Sequence, residues 1–109
     1  MNIDLPAPIA GYFAADHTRD AEALASQFAE DGVARDEGKT HKGRDEIRRW
    51  MADAWTKYAC ITQPFAVATA GERTVVTTHV RGDFPGSPLD LRYFFVLDGD
   101  RIAELEIKP

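Results

Sequence analysis

Asp36 is the residue of this chain with the clearest potential for chemistry. It lies in Val33-Ala34-Arg35-Asp36-Glu37-Gly38, a short strand-like run that follows two amphipathic segments. A curved sheet could carry this carboxylate into its interior, where loss of water raises a carboxyl pKa toward the range of a general base. The alternative is a solvated or arginine-paired acid, and the residues alone favour that alternative.

Other chemical motifs are absent from the sequence. It has no glycine-rich phosphate loop and no nucleophile elbow. His17, His41 and His79 lack the spacing of metal ligands, and the single cysteine, Cys60, has no partners for a zinc site. We therefore predict no metal and no cofactor, and interpret Cys60 as a small buried hydrophobe.

Length and charge restrict the class of protein. The chain has 109 residues, which suits one domain over residues 1–109, and its 44% hydrophobic and 28% charged residues are typical of a globular protein. A net charge of −5 argues against nucleic acid as a partner. The first residues, Met1 to Leu5, do not resemble a signal peptide, and no segment is long enough to span a membrane, so we expect a cytoplasmic protein.

Two helices are predicted at the start of the chain. Pro6 and Pro8 suit a first helical turn, and Asp20 can cap a second helix from Ala21 to about Phe28. The segment Glu30-Asp31-Gly32 then predicts a stop and a turn. Apolar residues at spacings of three and four mark the buried faces of these helices: Ile9, Tyr12 and Phe13 in the first, Leu24 and Phe28 in the second.

A short hairpin and a third helix are predicted next. Val33 to Glu37 has the composition of a strand, and Gly38-Lys39 would turn the chain back through Thr40-His41-Lys42. The third helix begins near Gly43, with acids in its first turn that suit the positive end of the helix dipole. Its apolar stripe, flanked by Trp50 and Trp55, is predicted to contain Ile47, Met51, Ala54 and Tyr58.

The second half of the chain has strand composition. Four segments rich in Val, Thr, Ile, Phe and Tyr are separated by glycine-containing turns, and they comprise Ile61 to Thr69, Thr74 to Arg81, Leu89 to Leu97 and Arg101 to Ile107. Helices followed by a meander of strands predict an α+β domain, with the helices on one side of a curved sheet.

The strand Leu89 to Leu97 is apolar on both faces over part of its length. Because successive side chains alternate, Leu91, Tyr93, Phe95 and Leu97 share one face, while Phe94 and Val96 lie on the other with Asp90 and Arg92. A small chain can cover only one face of its sheet with three helices. A second copy could cover the other, so we predict a homodimer through the sheet.

Several segments resemble the nuclear transport factor 2-like (NTF2-like) superfamily, and in particular its SnoaL-like polyketide cyclases and ketosteroid isomerases. The resemblance is carried by Gly11 to Ala15, Asp20, Phe28 to Gly38, Gly43 to Arg48 and the hairpin at Asp98 to Ile102. It implies a cone-shaped, curved antiparallel (mixed) sheet, also called cystatin-like, with three N-terminal helices closing an apolar pocket. The superfamily includes isomerases, cyclases, dehydratases, epoxide hydrolases and non-catalytic binders, so it specifies the fold rather than the activity.

The resemblance also implies roles for individual residues. Tyr12 corresponds to the tyrosine of steroid isomerases that donates a hydrogen bond to the developing enolate, and Asp36 corresponds to their proton-shuttling aspartate. Tyr93 stands where their second oxyanion donor is an acid, and Met51 stands where a supporting tyrosine is expected. The match to the steroid isomerases is therefore incomplete at two positions.

Other candidate site residues come from the predicted faces of the strands and helices. His79 would be a second acid/base candidate, and His41 would lie at the mouth of the pocket; a structural or solvated role is the alternative for both. Aromatic side chains that could form the pocket wall, or simply belong to the core, are Trp50, Trp55, Phe65 and Phe95.

These observations lead to two functional hypotheses. The first is a pocket protein that binds a small apolar carbonyl compound and acts as a cofactor-independent isomerase or cyclase, with Asp36 as base and Tyr12, Tyr93 or His79 as hydrogen-bond donors. The second is a non-catalytic ligand-binding or dimerisation module of the same fold. Epoxide hydrolysis would need an Asp-Arg-Asp group around a water, which no spacing in the sequence singles out.

Overall fold

The computed structural model of the protein describes residues 3–109, so the expectation for the very first residues lies partly outside it, at Met1 and Asn2. Three helices and six strands follow one another in the order α1 Ala7–Thr18, α2 Ala21–Ser26, β1 Phe28–Asp36, β2 Lys39–Lys42, α3 Arg44–Lys57, β3 Cys60–Ala70, β4 Arg73–Gly82, β5 Leu89–Asp98 and β6 Arg101–Lys108. None of the helices in residues 3–109, the longest of which has 14 residues, is long and apolar enough to cross a membrane.

The six strands form one mixed sheet in the order β2-β1-β6-β5-β4-β3. Every neighbouring pair is antiparallel except β1 and β6, which run parallel with Ala34 opposite Leu105. The three helices cover one face of this curved sheet, which confirms the predicted α+β class.

The core lies between the helices and the inner face of the sheet. Tyr12 and Phe13 of α1 pack against Tyr93 and Phe95 of β5, with ring centroids 5.2–6.1 Å apart. Rings at such distances and mostly edge-to-face angles add to the energy of their burial. The predicted helical faces are confirmed by the burial of Ile9, Tyr12, Phe13, Leu24, Ile47 and Met51. The last two residues of the predicted α3 stripe, Ala54 and Tyr58, are only partly buried, and Tyr58 lies just beyond the end of the helix.

The sequence prediction is wrong around the start of β1. The second helix ends at Ser26, and Phe28 is the first residue of a strand rather than the last residue of a helix. The segment Glu30-Asp31-Gly32 lies inside β1 at a shift in its register with β6, so it forms an irregularity of the strand and not a turn. The helix cannot continue because Gln27 and Phe28 are drawn into the sheet, where the Gln27 carbonyl accepts a hydrogen bond from the Ile102 amide at 2.8 Å.

The turn between β1 and β2 is also displaced by one residue from the prediction. Asp36 pairs with Lys39, so the two turn residues are Glu37 and Gly38, and both have positive φ, of 52° and 75°. Two-residue hairpin turns with two positive φ values suit the twist of the strands and favour Asn-Gly. Glutamate is strained in this conformation by about 1–2 kcal/mol relative to a glycine.

We expect Glu37→Asn to raise the free energy of unfolding by about 0.5–1 kcal/mol, because asparagine tolerates the left-handed conformation better. Urea denaturation of the variant and the parent protein measures this difference. The matched control is Glu72→Asn in the turn between β3 and β4, where Gly71 alone has a positive φ. An equal gain from both variants would show that the conformation of Glu37 is not its cause.

Candidate functional site

A cavity of about 660 Å³ opens between the β1–β2 turn, the end of α3 and the inner face of the sheet. Its polar groups are Asp36, Glu37, Tyr58, Cys60 and Tyr93. The rest of its wall is mostly apolar and consists of Val80, Phe84, Pro85, Leu89, Leu91, Ile107 and Pro109, with the backbone of Gly38. A volume and lining of this kind suit a small, largely apolar organic molecule.

Asp36 reaches this cavity because of its position in β1. Side chains alternate along a strand, so Asp36 shares the inner face with the fully buried Ala34, while Arg35 points outward and pairs with Glu104 at 2.9 Å. The Asp36 carboxylate accepts hydrogen bonds from the Trp50 side chain and from the Glu37 backbone amide. The strand therefore directs the carboxylate inward. The strained turn that follows contains Glu37, whose backbone amide donates one of the hydrogen bonds to this carboxylate.

The environment of Asp36 raises its pKa. Burial is the largest cause, because it disfavours the charged carboxylate, and the neighbouring Glu37 carboxylate acts in the same direction. The hydrogen bonds from Trp50 and the Glu37 amide oppose this rise. A half-buried aspartate with a raised pKa at the wall of an apolar cavity has the properties of a general base.

Tyr93 is the second chemical group of the cavity. It lies on β5 with its ring buried, and burial raises the pKa of its hydroxyl far above the ordinary tyrosine value, with Asp16, Asp36 and Cys60 adding to the rise. Its hydroxyl therefore stays protonated and can donate a hydrogen bond to an oxygen that becomes negative.

Tyr12 is packed behind Tyr93 rather than in the wall of the cavity. The two rings meet edge-to-face with centroids 6.1 Å apart. Burial raises the Tyr12 pKa, and Tyr93, Asp16 and Asp36 raise it further, which places both carboxylates within electrostatic reach of the buried tyrosines.

Asp16 is a member of this group that the sequence analysis did not select. It lies in the last turn of α1, where its carboxylate accepts a hydrogen bond from Trp55 Nε1 at 3.0 Å and another from the Thr62 side chain. Burial raises its pKa against these two bonds. A signal was available: Asp16 stands four residues after Tyr12 and so shares its helix face.

The two tryptophans of α3 therefore hold one carboxylate each. Trp50 donates to Asp36 on β1, and Trp55 donates to Asp16 on α1. Both were predicted as parts of the pocket wall, but neither lines the large cavity. They instead fix the carboxylates on two sides of the buried tyrosines.

His41 and Phe95 also lie outside the large cavity. The imidazole of His41 stacks on the Trp50 indole, with centroids 5.4 Å apart and planes 20° apart, in a smaller cleft. Phe95 is fully buried under Tyr12 and Phe13 and belongs to the core.

The structure does not bring His79 and Phe65 to the cavity. His79 alternates with the buried Thr78 on β4, so it projects from the outer face of the sheet, where its Nδ1 lies 2.9 Å from Asp90 Oδ1. Phe65 stands at an irregularity of the edge strand β3 and is 40% exposed. The sheet separates His79 from Asp36, so His79 cannot exchange a proton with a molecule bound beside Asp36.

The mouth of the cavity contains aromatic residues that the sequence analysis did not select as site residues. Tyr58 ends α3 in an extended conformation, and its ring meets that of Phe84 edge-to-face at 6.1 Å. Phe84 lies in the segment between β4 and β5, whose Asp83 side chain accepts a hydrogen bond from the Ala59 amide at 2.9 Å. Among residues 3–109, no group of three or more His, Cys, Asp or Glu side chains is arranged to hold a metal ion.

Comparisons with known proteins agree with the observed fold. A family model described as a SnoaL-like domain matches residues 9–105. A Sinorhizobium meliloti protein provisionally assigned as a polyketide cyclase is 40% identical over 96% of both chains, with a TM-score of 0.92. Among functionally curated proteins, none matches this chain by sequence.

Two more distant structures share the fold. A Catenulispora acidiphila protein with a ketosteroid isomerase-like fold, solved in complex with trimethylamine, is 21% identical over 97% of this chain and 87% of its own, with a TM-score of 0.85. A cystatin-fold protein from Novosphingobium aromaticivorans is 18% identical over 99% of this chain and 100% of its own, with a TM-score of 0.79.

We expect Asp36→Asn to stabilise the protein at neutral pH. Because burial raises the Asp36 pKa, the folded protein binds this proton more tightly than the unfolded chain does. The contribution of Asp36 to stability is therefore fully present below its unfolded pKa and is lost as the pH rises through its folded pKa. Asparagine does not ionise, so the gain should be largest above the raised pKa and vanish at acid pH.

Urea denaturation at a series of pH values measures this difference. The control is Asp31→Asn, which removes an exposed carboxylate from the same strand and should not reproduce the gain at neutral pH. A gain for Asp36→Asn that grows toward acid pH would contradict the assignment of a raised pKa.

Proposed function

The chain belongs to the SnoaL-like domain family, and we propose that it is a small-molecule pocket protein that performs cofactor-independent acid/base chemistry on a small, largely apolar carbonyl compound. One observation supports this proposal above the others. Asp36, whose pKa is raised by burial, and Tyr93, whose hydroxyl stays protonated, line the same mostly apolar cavity.

The proposed reaction begins with removal of a proton from the carbon next to the carbonyl group. The Asp36 carboxylate accepts this proton, the C–H bond breaks, and its electron pair moves toward the carbonyl oxygen to form an enolate. The Tyr93 hydroxyl donates a hydrogen bond to that oxygen, and the interaction strengthens as negative charge develops. Tyr12 supports the Tyr93 ring from behind, at 6.1 Å between centroids.

The enolate can then react in two ways. If a proton returns to a different carbon, the product is an isomer. If the enolate carbon attacks a second carbonyl group of the same molecule, a C–C bond forms, the C=O π bond of that group breaks, its oxygen takes up a proton from Asp36, and a ring closes. The 40%-identical relative from Sinorhizobium meliloti, provisionally assigned as a polyketide cyclase, favours the second outcome. We therefore rank cyclisation above isomerisation.

We expect this protein to catalyse exchange of α-hydrogens of cyclic ketones with deuterium from solvent, and Asp36→Asn to reduce the rate by about 10²–10⁴-fold. Loss of the oxyanion donor in Tyr93→Phe should cost about 10²-fold or more. Deuterium incorporation followed by NMR over a panel of cyclic ketones measures both effects.

The control for this experiment is His79→Gln, which changes a histidine on the outer face and should retain the parental rate. Equal exchange by Asp36→Asn and the parent protein would eliminate Asp36 as the base. Binding of ketones without any enhanced exchange would favour the alternative, a non-catalytic ligand-binding module.

A homodimer through the outer face of the sheet is a second part of the proposal. Phe94 lies half-buried on this face among three cations, Arg73, Arg92 and Lys108, each 5.3–5.9 Å from the centre of its ring. Acidic groups lie on the same face in β6, at Glu104 and Glu106. A face with an apolar centre and charges of both signs can pair with a copy of itself about a two-fold axis.

We expect the protein to sediment as a dimer at micromolar concentration, and Phe94→Arg to shift it to monomer by removing the apolar centre and adding a fourth cation. Analytical ultracentrifugation measures the association, and circular dichroism checks that the variant is folded. Val67→Arg is the control, because Val67 is an exposed apolar residue of the inner face, opposite Val76. A monomeric parent protein would refute this part of the proposal.

A further inference from the structure

Asp36 separates two cavities of different character. One is the 660 Å³ cavity described above, and the other is a cleft of about 190 Å³ on its far side. The two share Asp36, Glu37 and Tyr58 as a common wall. The Asp36 carboxyl therefore borders two separate spaces.

The cleft is built by polar and apolar side chains of β2 and α3. Its walls beyond the shared residues are Lys39, His41, Trp50, Asp53, Ala54 and Lys57. Lys39, Asp53 and Lys57 are exposed, so the cleft opens to solvent. The large cavity, by contrast, is lined mainly by apolar side chains.

The size and charge of the cleft suit water rather than a ligand. Pockets that hold organic ligands usually have volumes of about 300–1,000 Å³, which is larger than this cleft. Lys39 and Lys57 face Glu37 and Asp53, so the cleft has no strong preference for an anion or a cation. A space of about 190 Å³ whose lining is partly polar has room for several water molecules.

We propose that this cleft is a water-filled proton path that connects the Asp36 carboxyl with solvent while the large cavity is occupied. Trp50 forms its inner wall, donates its indole N–H to Asp36 and is held in place by the stacked ring of His41. Ala54 lines the cleft, and its small side chain leaves space that a larger residue would fill.

The path has a consequence for the reaction, which rests on the proposed function. Asp36 takes a proton from carbon, passes it to a water of the cleft and receives another proton from solvent, with no change in electron count. A proton that later returns to the product then comes from solvent, whereas a sealed base would return the proton it removed. In ring closure the abstracted proton does not return to carbon; the oxygen of the attacked carbonyl group takes up a proton instead, and the path allows that proton to come from solvent.

The experiment measures hydrogen exchange of the two tryptophan indoles by NMR, with no substrate present. The Trp50 indole N–H bonds to Asp36 beside the cleft, and the Trp55 indole N–H bonds to Asp16 away from it, so Trp55 is an internal control. Ala54→Leu fills the cleft and should slow exchange at Trp50 by about tenfold or more while exchange at Trp55 stays unchanged.

Two further variants make the result specific. Ala52→Leu adds the same bulk to an exposed position of α3 and should alter neither indole. Leu91→Phe narrows the large cavity from the opposite side and should leave exchange at Trp50 unchanged. If Leu91→Phe slows Trp50 exchange and Ala54→Leu does not, water reaches Asp36 through the large cavity and the proposal is wrong.

Ala54→Ser provides a second test if Ala54→Leu does not fold, because it keeps the cleft open and should retain parental exchange at both indoles. Slower Trp50 exchange in Ala54→Ser would contradict the proposal. The indole-exchange result and the test of the proposed function can be interpreted independently of each other. Absence of ketone exchange would leave the indole result standing, and indole exchange insensitive to Ala54→Leu would overturn the path even in an active enzyme.

Discussion

The parallel pairing of β1 with β6 is the constraint on which the rest of this structure depends. It inserts a strand from the N-terminal half beside the last strand of the chain, with Ala34 opposite Leu105 and Arg35 opposite Glu106. The pairing is anchored at its start by the bond from the Ile102 amide to the Gln27 carbonyl. Parallel strands cannot be joined by a tight turn, so a long connection runs from β1 to β6 and contains β2, α3 and the strands β3 to β5. Within this connection α3 covers part of the inner face, and the pairing places Asp36 at the cavity that Tyr93 lines.

The aromatic contact between α1 and β5 fixes the floor of the site. Tyr12 and Phe13 pack on Tyr93 and Phe95, so the rings hold the Tyr93 hydroxyl at a defined depth. The same burial that stabilises the core raises the pKa of both tyrosine hydroxyls. The stability of the aromatic core and the raised pKa of the tyrosine hydroxyls have the same cause, which is the exclusion of water by apolar side chains. A protonated, positioned donor is the result.

Helix α3 connects the carboxylates of Asp36 and Asp16 to the aromatic cluster of α1 and β5. Its indoles, Trp50 and Trp55, donate hydrogen bonds to Asp36 and Asp16, which belong to different elements of the N-terminal half. Hydrogen bonds to a half-buried carboxylate offset part of the cost of burying its charge. Each carboxylate is therefore oriented while its pKa is still raised. The mostly apolar cavity and the smaller cleft share Asp36, Glu37 and Tyr58, so the Asp36 carboxylate has access to both.

The sequence by itself determined the class of fold, the buried helix faces and the alternation that puts Tyr93 and Phe94 on opposite faces of β5, because these follow from local spacing. It also singled out Asp36. Local spacing was not sufficient where distant parts of the chain interact. Phe28 belongs to β1 and not to the predicted second helix, and His79 lies on the outer face of the sheet, away from the cavity. Only the tertiary structure decided which side chains meet. The partnership of Asp16 with Trp55 joins residues 39 positions apart, and the desolvation of Asp36 depends on the closed core around it. Contacts and burial of this kind arise from the packing of the whole chain, and no local pattern encodes them.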